Sequence, residues 1–386
     1  MNILLTNCME TLSPGGVNKV VAELGKHLSK KGHTVTVLQG NPLKLAREEI
    51  YEGFKIVRIR SPLEKHLYSL NGKLYFYLKK HLKELDPQVI HLHGHVLATP
   101  EVFYAARKID QSIPTVVNFH VDAFSGTLGR RLFWNLYTKI DKNVAKMATH
   151  IIAASDFEAD YVRKAFDVRD NKLSTIHHGV DPIFQKRSSK SDKVCHGEIL
   201  KLLVVGYLIK RKNIESILYT LYELINGFGV HEARLAIVGT GPEKGTLSRL
   251  AEDLGIDEHI TWKERLGVAE LAHEFSESDV FLLLSKSEAY GIVIAEALST
   301  GTPCVVTNTT ALREFTHERG CFGVESPPDP KIVAQLILKI HQNEVEVGPF
   351  SNRIRTWEQV VQDYEVIYQN LSRNELPRYT ESQMLA

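Results

Sequence analysis

Glu288 and Glu296 are the two side chains whose placement says most about chemistry. They stand eight positions apart in the stretch from Leu282 to Pro303. The order of that stretch is strand, loop, helix, turn. The apolar run Val280 to Leu284 suits a strand buried on both faces. Ser285 to Tyr290 is a polar loop, Gly291 opens a helix, and Gly301 with Pro303 closes it. Glu288 falls in the loop and Glu296 one to two turns into the helix. Both then face the crevice at the carboxyl end of the sheet, where open α/β folds take ligands. The helix start offers unpaired backbone N–H groups suited to phosphate. Carboxylates accept hydrogen bonds from sugar hydroxyls, so the stretch has the parts to hold a diphosphate between two sugars. Two glutamates at this spacing also arise on a plain helix packed against a sheet, with both carboxylates solvated.

Other candidates belong to similar strand-to-helix turns. Leu200 to Gly206 is an apolar run, and Lys210, Arg211 and Lys212 precede the next helical pattern. Three cations there would neutralise a diphosphate, with Lys acting as a point charge; a solvated charge run is the alternative. Leu235 to Pro242 is a strand ending in a glycine turn at Gly239 and Gly241. His259 to Trp262 leads into the loop Lys263-Glu264-Arg265-Leu266. In the first half, Asn2 to Asn7 reads as a buried strand. The following loop ends in Gly15-Gly16, and a helix runs on to about Lys31. Paired glycines let backbone amides approach a phosphate or sugar closely, although most such pairs are only turns. His33 to Leu38 and Phe54 to Ile59 are the second and third strands. Val89 to His95 is a strand with His91, His93 and His95 on one face. Alternating histidines can bind metal, but no acidic or Cys ligand stands nearby in sequence. Thr115 to Phe119 delivers His120 to the same end of the sheet, either to a ligand or as a satisfied buried histidine. Ser155-Asp156 looks like a helix cap.

With Gly291, Gly301 and Pro303, the E-x7-E string resembles the retaining glycosyltransferases of the GT-B fold, family four. The resemblance spans nearly the whole chain and is most specific over residues 200–315. It implies an α/β protein of two Rossmann-like, doubly wound domains facing across a cleft. The expected domains are residues 1–183 and 198–358, with a C-terminal helix at about 360–376 crossing back onto the first. It implies that His120 meets the transferred sugar, that Lys212 meets the donor diphosphate and that Glu288 orients the sugar; these are the expected catalytic residues. Tyr290, Gly291 and Ile292 would give backbone contacts, and Glu296 would hold the ribose hydroxyls. Gly15, Gly16, Arg211 and Gly239 would lie along the donor, and Arg265 and Leu266 would receive the base. The chain departs from the family pattern in places. Tyr207 stands where the family has an arginine on the donor phosphates, with Arg211 or Lys210 as candidate replacements. Asn308 to Glu314 stands where the family has a glycine-rich turn and a glutamate; Glu314 fits, whereas Thr309 and Thr310 are not glycines. His178, before Gly179-Val180-Asp181, replaces an asparagine.

Composition sets outer bounds. An apolar fraction of 43% and a charged fraction of 24% are those of an ordinary globular protein. The net charge of +1 hides an asymmetry, because residues 1–182 carry +7 and the remainder −6. A basic first half suits an anionic partner such as a membrane surface or a charged acceptor, or is a scatter of solvated lysines. Residues 61–85 place Leu67, Leu70, Leu74, Leu78 and Leu82 on one helical face among Lys65, Lys73, Lys79, Lys80 and Lys83. Residues 126–148 mix Arg130, Arg131, Phe133 and Trp134. Either helix could lie on anionic lipid or pack against the sheet. Cys8, Cys195, Cys304 and Cys321 form no CxxC pair and read as reduced thiols of a cytoplasmic protein. The first residues are too short and uncharged for a signal peptide, and no run approaches the roughly 20 apolar residues of a membrane span.

The expected activity is transfer of a hexose from a UDP- or GDP-sugar to an acceptor hydroxyl, the acceptor being a sugar, a lipid-linked glycan or a glycolipid. The sequence contains no D-x-D motif, so the expectation is a metal-independent enzyme without cofactor. The other expectations are no nucleic-acid partner, a cytoplasmic location and peripheral contact with the inner membrane face. Two rivals stay open. An epimerase or phosphorylase of the same fold would act without this acceptor, and a non-catalytic nucleotide-sugar-binding protein would form no product.

Overall fold

The computed structural model describes residues 1–7, 10–13, 15–60, 71–94, 98–121, 128–185, 199–342, 344–345 and 354–373, without the side chains of 128–136. Expectations placed on residues 61–70, His95, the side chains of Arg130 to Trp134, Cys8, Cys195, residues 186–198 and the tail past Leu376 lie outside these. The chain divides into two units, Met1–His178 with Trp357–Ala386 and Gly179–Thr356.

The first unit begins with strand β1 (Asn2–Asn7), helix α1 (Gly16–Lys30) and β2 (Thr34–Gly40). Next come β3 (Glu48–Tyr51), β4 (Phe54–Ile59), α2 (Leu74–Leu85), β5 (Val89–His93) and α3 (Ala98–Ile109). β6 (Thr115–Asn118), α4 (Leu128–Met147), β7 (His150–Ala153), α5 (Asp156–Phe166) and β8 (Leu173–Thr175) complete the sheet, whose order is β3-β4-β2-β1-β5-β6-β7-β8. Strand order reverses between β1 and β5, which makes the ends of these strands the topological switch point. All pairings are parallel except β3 with β4. That antiparallel hairpin turns at Glu52 and Gly53, both with positive φ (48° and 91°), as a two-residue turn matching strand twist requires. The sequence reading has no strand here. Glu48, Ile50 and Tyr51 are exposed on the sheet edge, so the segment lacks the apolar run that marks the inner strands. α5 starts at Ser155, whose side chain accepts from Glu158 N, as a helix cap does.

The second unit runs β9 (Lys201–Val205), α6 (Ile214–Tyr222), β10 (Arg234–Val238), α7 (Lys244–Asp253), β11 (Ile260–Lys263) and α8 (Val268–Glu277). It continues with β12 (Val280–Leu283), α9 (Ile292–Thr300), β13 (Cys304–Thr307), α10 (Leu312–Phe315), β14 (Cys321–Val324) and α11 (Pro330–His341). The sheet order β11-β10-β9-β12-β13-β14 is wholly parallel, with its switch point between β9 and β12. Leu202, Val204, Leu282 and Leu284 are buried in one core with Ile217, Leu221 and Ile337 from the helices. Continuous apolar strands are what helices on both faces of a parallel sheet demand. α12 (Trp357–Ser372) then belongs to the first unit. It buries Trp357, Tyr364 and Tyr368 completely, and Glu365 meets Lys31 Nζ at 2.8 Å and His33 Nε2 at 2.9 Å.

Candidate active site

Two loops part at the switch point of the second unit, one after β9 and one after β12. The first carries the three cations. Lys210–Lys212 form a single 3-10 turn that ends on Asn213, whose φ is 52°. The neighbouring β10 turn is pressed against this loop. A Cβ on Gly239 would come within 1.9 Å of Gly206 O, and one on Gly241 within 2.4 Å of Leu208 O. No side chain fits either position, so these glycines are fixed first by loop-on-loop packing. The backbone bonds Leu208 N to Thr240 O (2.8 Å) and Gly206 N to Val238 O (3.0 Å) lock the two loops together.

The second loop brings Glu288 to the cations. Lys212 Nζ donates to Glu288 Oε1 at 2.6 Å, and Arg211 Nη1 reaches Glu288 Oε2 at 3.3 Å. Arg211 Nη1 also donates to Ser287 O (2.6 Å), and Lys286 N to Arg211 O (2.9 Å). The Glu288 side chain is only about a tenth exposed. Burial by itself would raise its carboxyl; Lys212 and then Arg211 outweigh that and hold it below the usual carboxylate range. Threonines from the end of β13 and the loop after it support the other side. Thr307 Oγ1 donates to Ser285 O, and Thr310 Oγ1 accepts from Glu288 N at 3.0 Å.

α9 follows directly. Gly291 caps its start at φ 112°, a conformation that glycine takes without strain. Ile292 opens the helix, and Glu296 is buried within it. Tyr290 is buried, with its ring 5.2 Å from Phe315; burial and then Glu314 push its hydroxyl pKa upward. The sheet therefore gathers Arg211, Lys212, Glu288, Tyr290, Gly291, Ile292 and Glu296 about one switch point, with Gly239 packed at the base of the cationic loop. Arg265 and Leu266 lie elsewhere, after edge strand β11 and two strands from β9; Arg265 is exposed.

In the first unit the switch point lies between β1 and β5. Gly15, at φ 151°, precedes α1, and Gly16 begins it. The loop before them is held by a network the sequence reading did not see. Arg58, fully buried, donates through Nε and Nη2 to Glu10 at 2.8 and 2.9 Å. Gln39 Nε2 donates to Glu10 Oε2 (2.7 Å), and Gln39 Oε1 accepts from Thr11 N (3.1 Å). An arginine inside the apolar strand Phe54 to Ile59 was the available signal, since a buried charge demands a partner.

His120 has φ 55°, in the left-handed region. Its Nε2 meets His93 Nδ1 at 3.2 Å, and its ring lies 5.7 Å from that of His178. Glu158, buried, accepts from Val121 N (2.8 Å) and Ala154 N (2.7 Å), which pins the backbone just after His120. His91 uses both ring nitrogens on protein: Nδ1 meets Tyr368 Oη at 2.5 Å, and Nε2 meets Asn118 Oδ1 at 2.6 Å. Burial lowers the His120 pKa to about 4 and that of His91 to about 3. It drives His93 and His178 down as well, with neighbouring histidines adding to the effect.

Known proteins share this arrangement at the level of family and fold. Residues 14–184 match the Glycosyltransferase Family 4 description, and residues 187–357 match Glycosyl transferases group 1. N-acetyl-alpha-D-glucosaminyl L-malate synthase of Bacillus anthracis is 24% identical over 94% of this chain and 96% of its own length. Alpha-monoglucosyldiacylglycerol synthase of Acholeplasma laidlawii is 23% identical, covering 87% of each chain. Anabaena HepE, solved with UDP and glucose, superposes with a TM-score of 0.72 at 17% identity, over 95% of this chain and 98% of that one. That last likeness shows the GT-B fold alone. Together the two family matches take in all but the ends of the chain, which belongs to the family 4, group 1 glycosyltransferases.

Proposed function

We propose that this chain transfers a hexosyl group from a UDP- or GDP-sugar to an acceptor hydroxyl, with retention at the anomeric carbon and without a metal ion. The observation that carries the reading is the Lys212–Glu288 pair, 2.6 Å apart, at the switch point of the second sheet. The chemical problem is negative charge growing on the departing diphosphate. Lys212 and the first N–H groups of α9 answer it with fixed positive potential. As the donor binds, its phosphate competes with Glu288 for Lys212, which frees the carboxylate to accept hydrogen bonds from the sugar. The acceptor oxygen then bonds to the anomeric carbon on the face that the diphosphate leaves. The anomeric C–O bond breaks, and a donor phosphate oxygen takes the acceptor's proton. No protein base is needed. Glu296 holds the ribose hydroxyls, and Tyr290, Gly291 and Ile292 line the sugar through their backbone. His120 meets the sugar as a neutral imidazole. Arg265 and Leu266 receive the base, and Gly15, Gly16 and Gly239 let backbone approach.

The acceptor is anionic or lipid-linked on this reading, taken up at the inner face of the cell membrane. The basic first half and the two curated relatives support it: one name contains L-malate and the other a diacylglycerol. Among the described residues no helix is long and apolar enough to cross a membrane, so contact would be peripheral.

One experiment addresses both substrates. Thermal shift against UDP-glucose, UDP-N-acetylglucosamine and GDP-mannose is expected to raise Tm with one of them. The stabilising donor, radiolabelled, is then offered L-malate or diacylglycerol in phosphatidylglycerol vesicles, with EDTA present. Labelled product is expected with one acceptor. Shift with no donor overturns the donor reading; activity lost in EDTA overturns metal independence.

A further inference from the structure

Thr310 has φ 44°, in the left-handed region that β-branched side chains avoid. It is 8% exposed, so the strain lies inside the protein. Glycine would relax it, and glycine is what the resemblance leads one to expect on this turn. The threonine hydroxyl explains why the strained residue is there. Thr310 Oγ1 accepts from Glu288 N at 3.0 Å in a buried hydrogen bond, and Ala311 N returns to Glu288 O at 3.4 Å. The backbone of Glu288 is thus gripped on both its N–H and its C=O by consecutive residues of one turn. On its other side the carboxylate is held by Lys212 and Arg211. The contacts from Thr310 and Ala311 are independent of those charges, and the one to the Thr310 hydroxyl is the shorter.

Resting on the reading of Glu288 given above, we infer that Thr310 is a positioning residue: its hydroxyl fixes the Glu288 backbone when the donor draws Lys212 away. The timing gives the hydroxyl its importance. In the unliganded chain the ion pair and this backbone grip hold Glu288 together. Once the diphosphate shares Lys212, the carboxylate keeps its aim only if its own backbone is anchored. Strained backbone retained at a functional site is a recurring device, tolerated because surrounding contacts determine it. A misaimed orienting group lowers turnover more than donor affinity, because it acts on the geometry of the reacting centre.

The test uses the full chain with Thr310→Gly, Thr310→Val and Thr310→Ser. Thr310→Gly removes both strain and hydrogen bond, two opposed effects, so Tm should stay within a few degrees of the parent. Thr310→Val keeps the shape and removes the acceptor. Deuterium exchange of the peptide containing Glu288 should quicken at least tenfold in the Gly variant, and in the Val variant if it folds, and remain near the parent in Thr310→Ser. With the stabilising nucleotide sugar, kcat should fall about tenfold in Thr310→Gly while the donor KM changes less than about threefold, and Thr310→Ser should restore kcat. Parent-like kcat in Thr310→Gly, or an equal loss in Thr310→Ser, overturns the inference. Glu288→Gln separates the two ideas: if it keeps parent turnover, the role given to Glu288 fails. If Glu288→Gln is inactive and Thr310→Gly is not, only the role of Thr310 fails.

Discussion

The two switch points solve the burial of polar groups in opposite ways. In the second unit a buried carboxylate stays charged because Lys212 and Arg211 stand 2.6 and 3.3 Å from it. In the first unit His91 meets Tyr368 and Asn118, and His120 meets His93, all uncharged groups; burial leaves His120 neutral down to about pH 4 and His91 to about pH 3. The backbones nevertheless share a device. Each unit puts a non-glycine residue into the left-handed region beside its cluster, His120 at φ 55° and Thr310 at φ 44°. Each also pins the neighbouring chain with a buried acceptor: Glu158 takes the N–H of Val121, and Thr310 takes that of Glu288. The contrast teaches that the same loop geometry can present either field or shape, and that charge partners decide which. On the proposed function, the second unit supplies potential for the diphosphate and the first supplies a neutral contact for the sugar.

The largest effect should come from breaking the charged side. Lys212→Ala removes the nearest cation from Glu288 and from the expected diphosphate. We expect kcat to fall by about 10²–10³, the range seen when one preorganised donor at a charge-developing centre is lost. Tm should fall modestly, because Arg211 still faces the carboxylate. Lys212→Arg should recover little, since a planar guanidinium does not replace a compact ammonium. The comparison breaks if His120→Ala, on the neutral side, costs more turnover than Lys212→Ala.

Acid should separate the units by stability. An unfolded histidine takes up a proton near pH 6.5, whereas folded His120 resists until about 4 and His91 until about 3. Below pH 6.5 the unfolded chain binds more protons, so folding weakens by about 1.4 kcal/mol per pH unit for each such histidine. This stability is whole above pH 6.5 and is lost as pH falls toward the folded values. Glu288, with its pKa depressed below 4.5, keeps its contribution until pH falls below 4.5. Deuterium exchange between pH 6.5 and 4.5 should therefore open peptides around His91 and His120 before those around Glu288. Earlier opening around Glu288 would show that its ion pair, and not the histidine burial, is the weak point.

How much of this was legible depends on whether a residue's neighbours are close in sequence. The Glu288–Glu296 element was readable because its strand, loop, glycine cap and proline are contiguous, and because Gly291 marks the left-handed start of α9. The same holds for the cationic turn. The Glu10–Arg58 brace was only half readable: Arg58 inside an apolar strand calls for a partner, but Glu10 stands 48 positions away and alone reads as surface charge. β3 was missed because an exposed edge strand needs no apolar pattern. Thr310 reads as a departure from the family turn; its hydrogen bond to Glu288 crosses 22 positions and its positive φ runs against residue preference. Gly239 was expected along a ligand, and the 1.9 Å that would separate a Cβ there from Gly206 O adds a packing reason that no local pattern carries.

The smallest expected effect sharpens the charged side. Tyr207, 52% exposed, occupies the position where the family resemblance calls for an arginine. Arg211 already reaches the carboxylate and the Ser287 carbonyl from the next turn, at 3.3 and 2.6 Å. If Arg211 supplies the missing charge, Tyr207→Ala should change donor KM less than about threefold, because an exposed phenol contributes little to a diphosphate field. Arg211→Ala should raise that KM at least tenfold, since it removes a charge-assisted contact worth about 1.5–3 kcal/mol together with support for the Glu288 loop. Tyr207→Arg then adds a cation to a position whose role is filled, and should gain at most a few-fold at low salt. A large gain from Tyr207→Arg with little loss from Arg211→Ala would reverse the assignment and place the missing charge at the start of the loop.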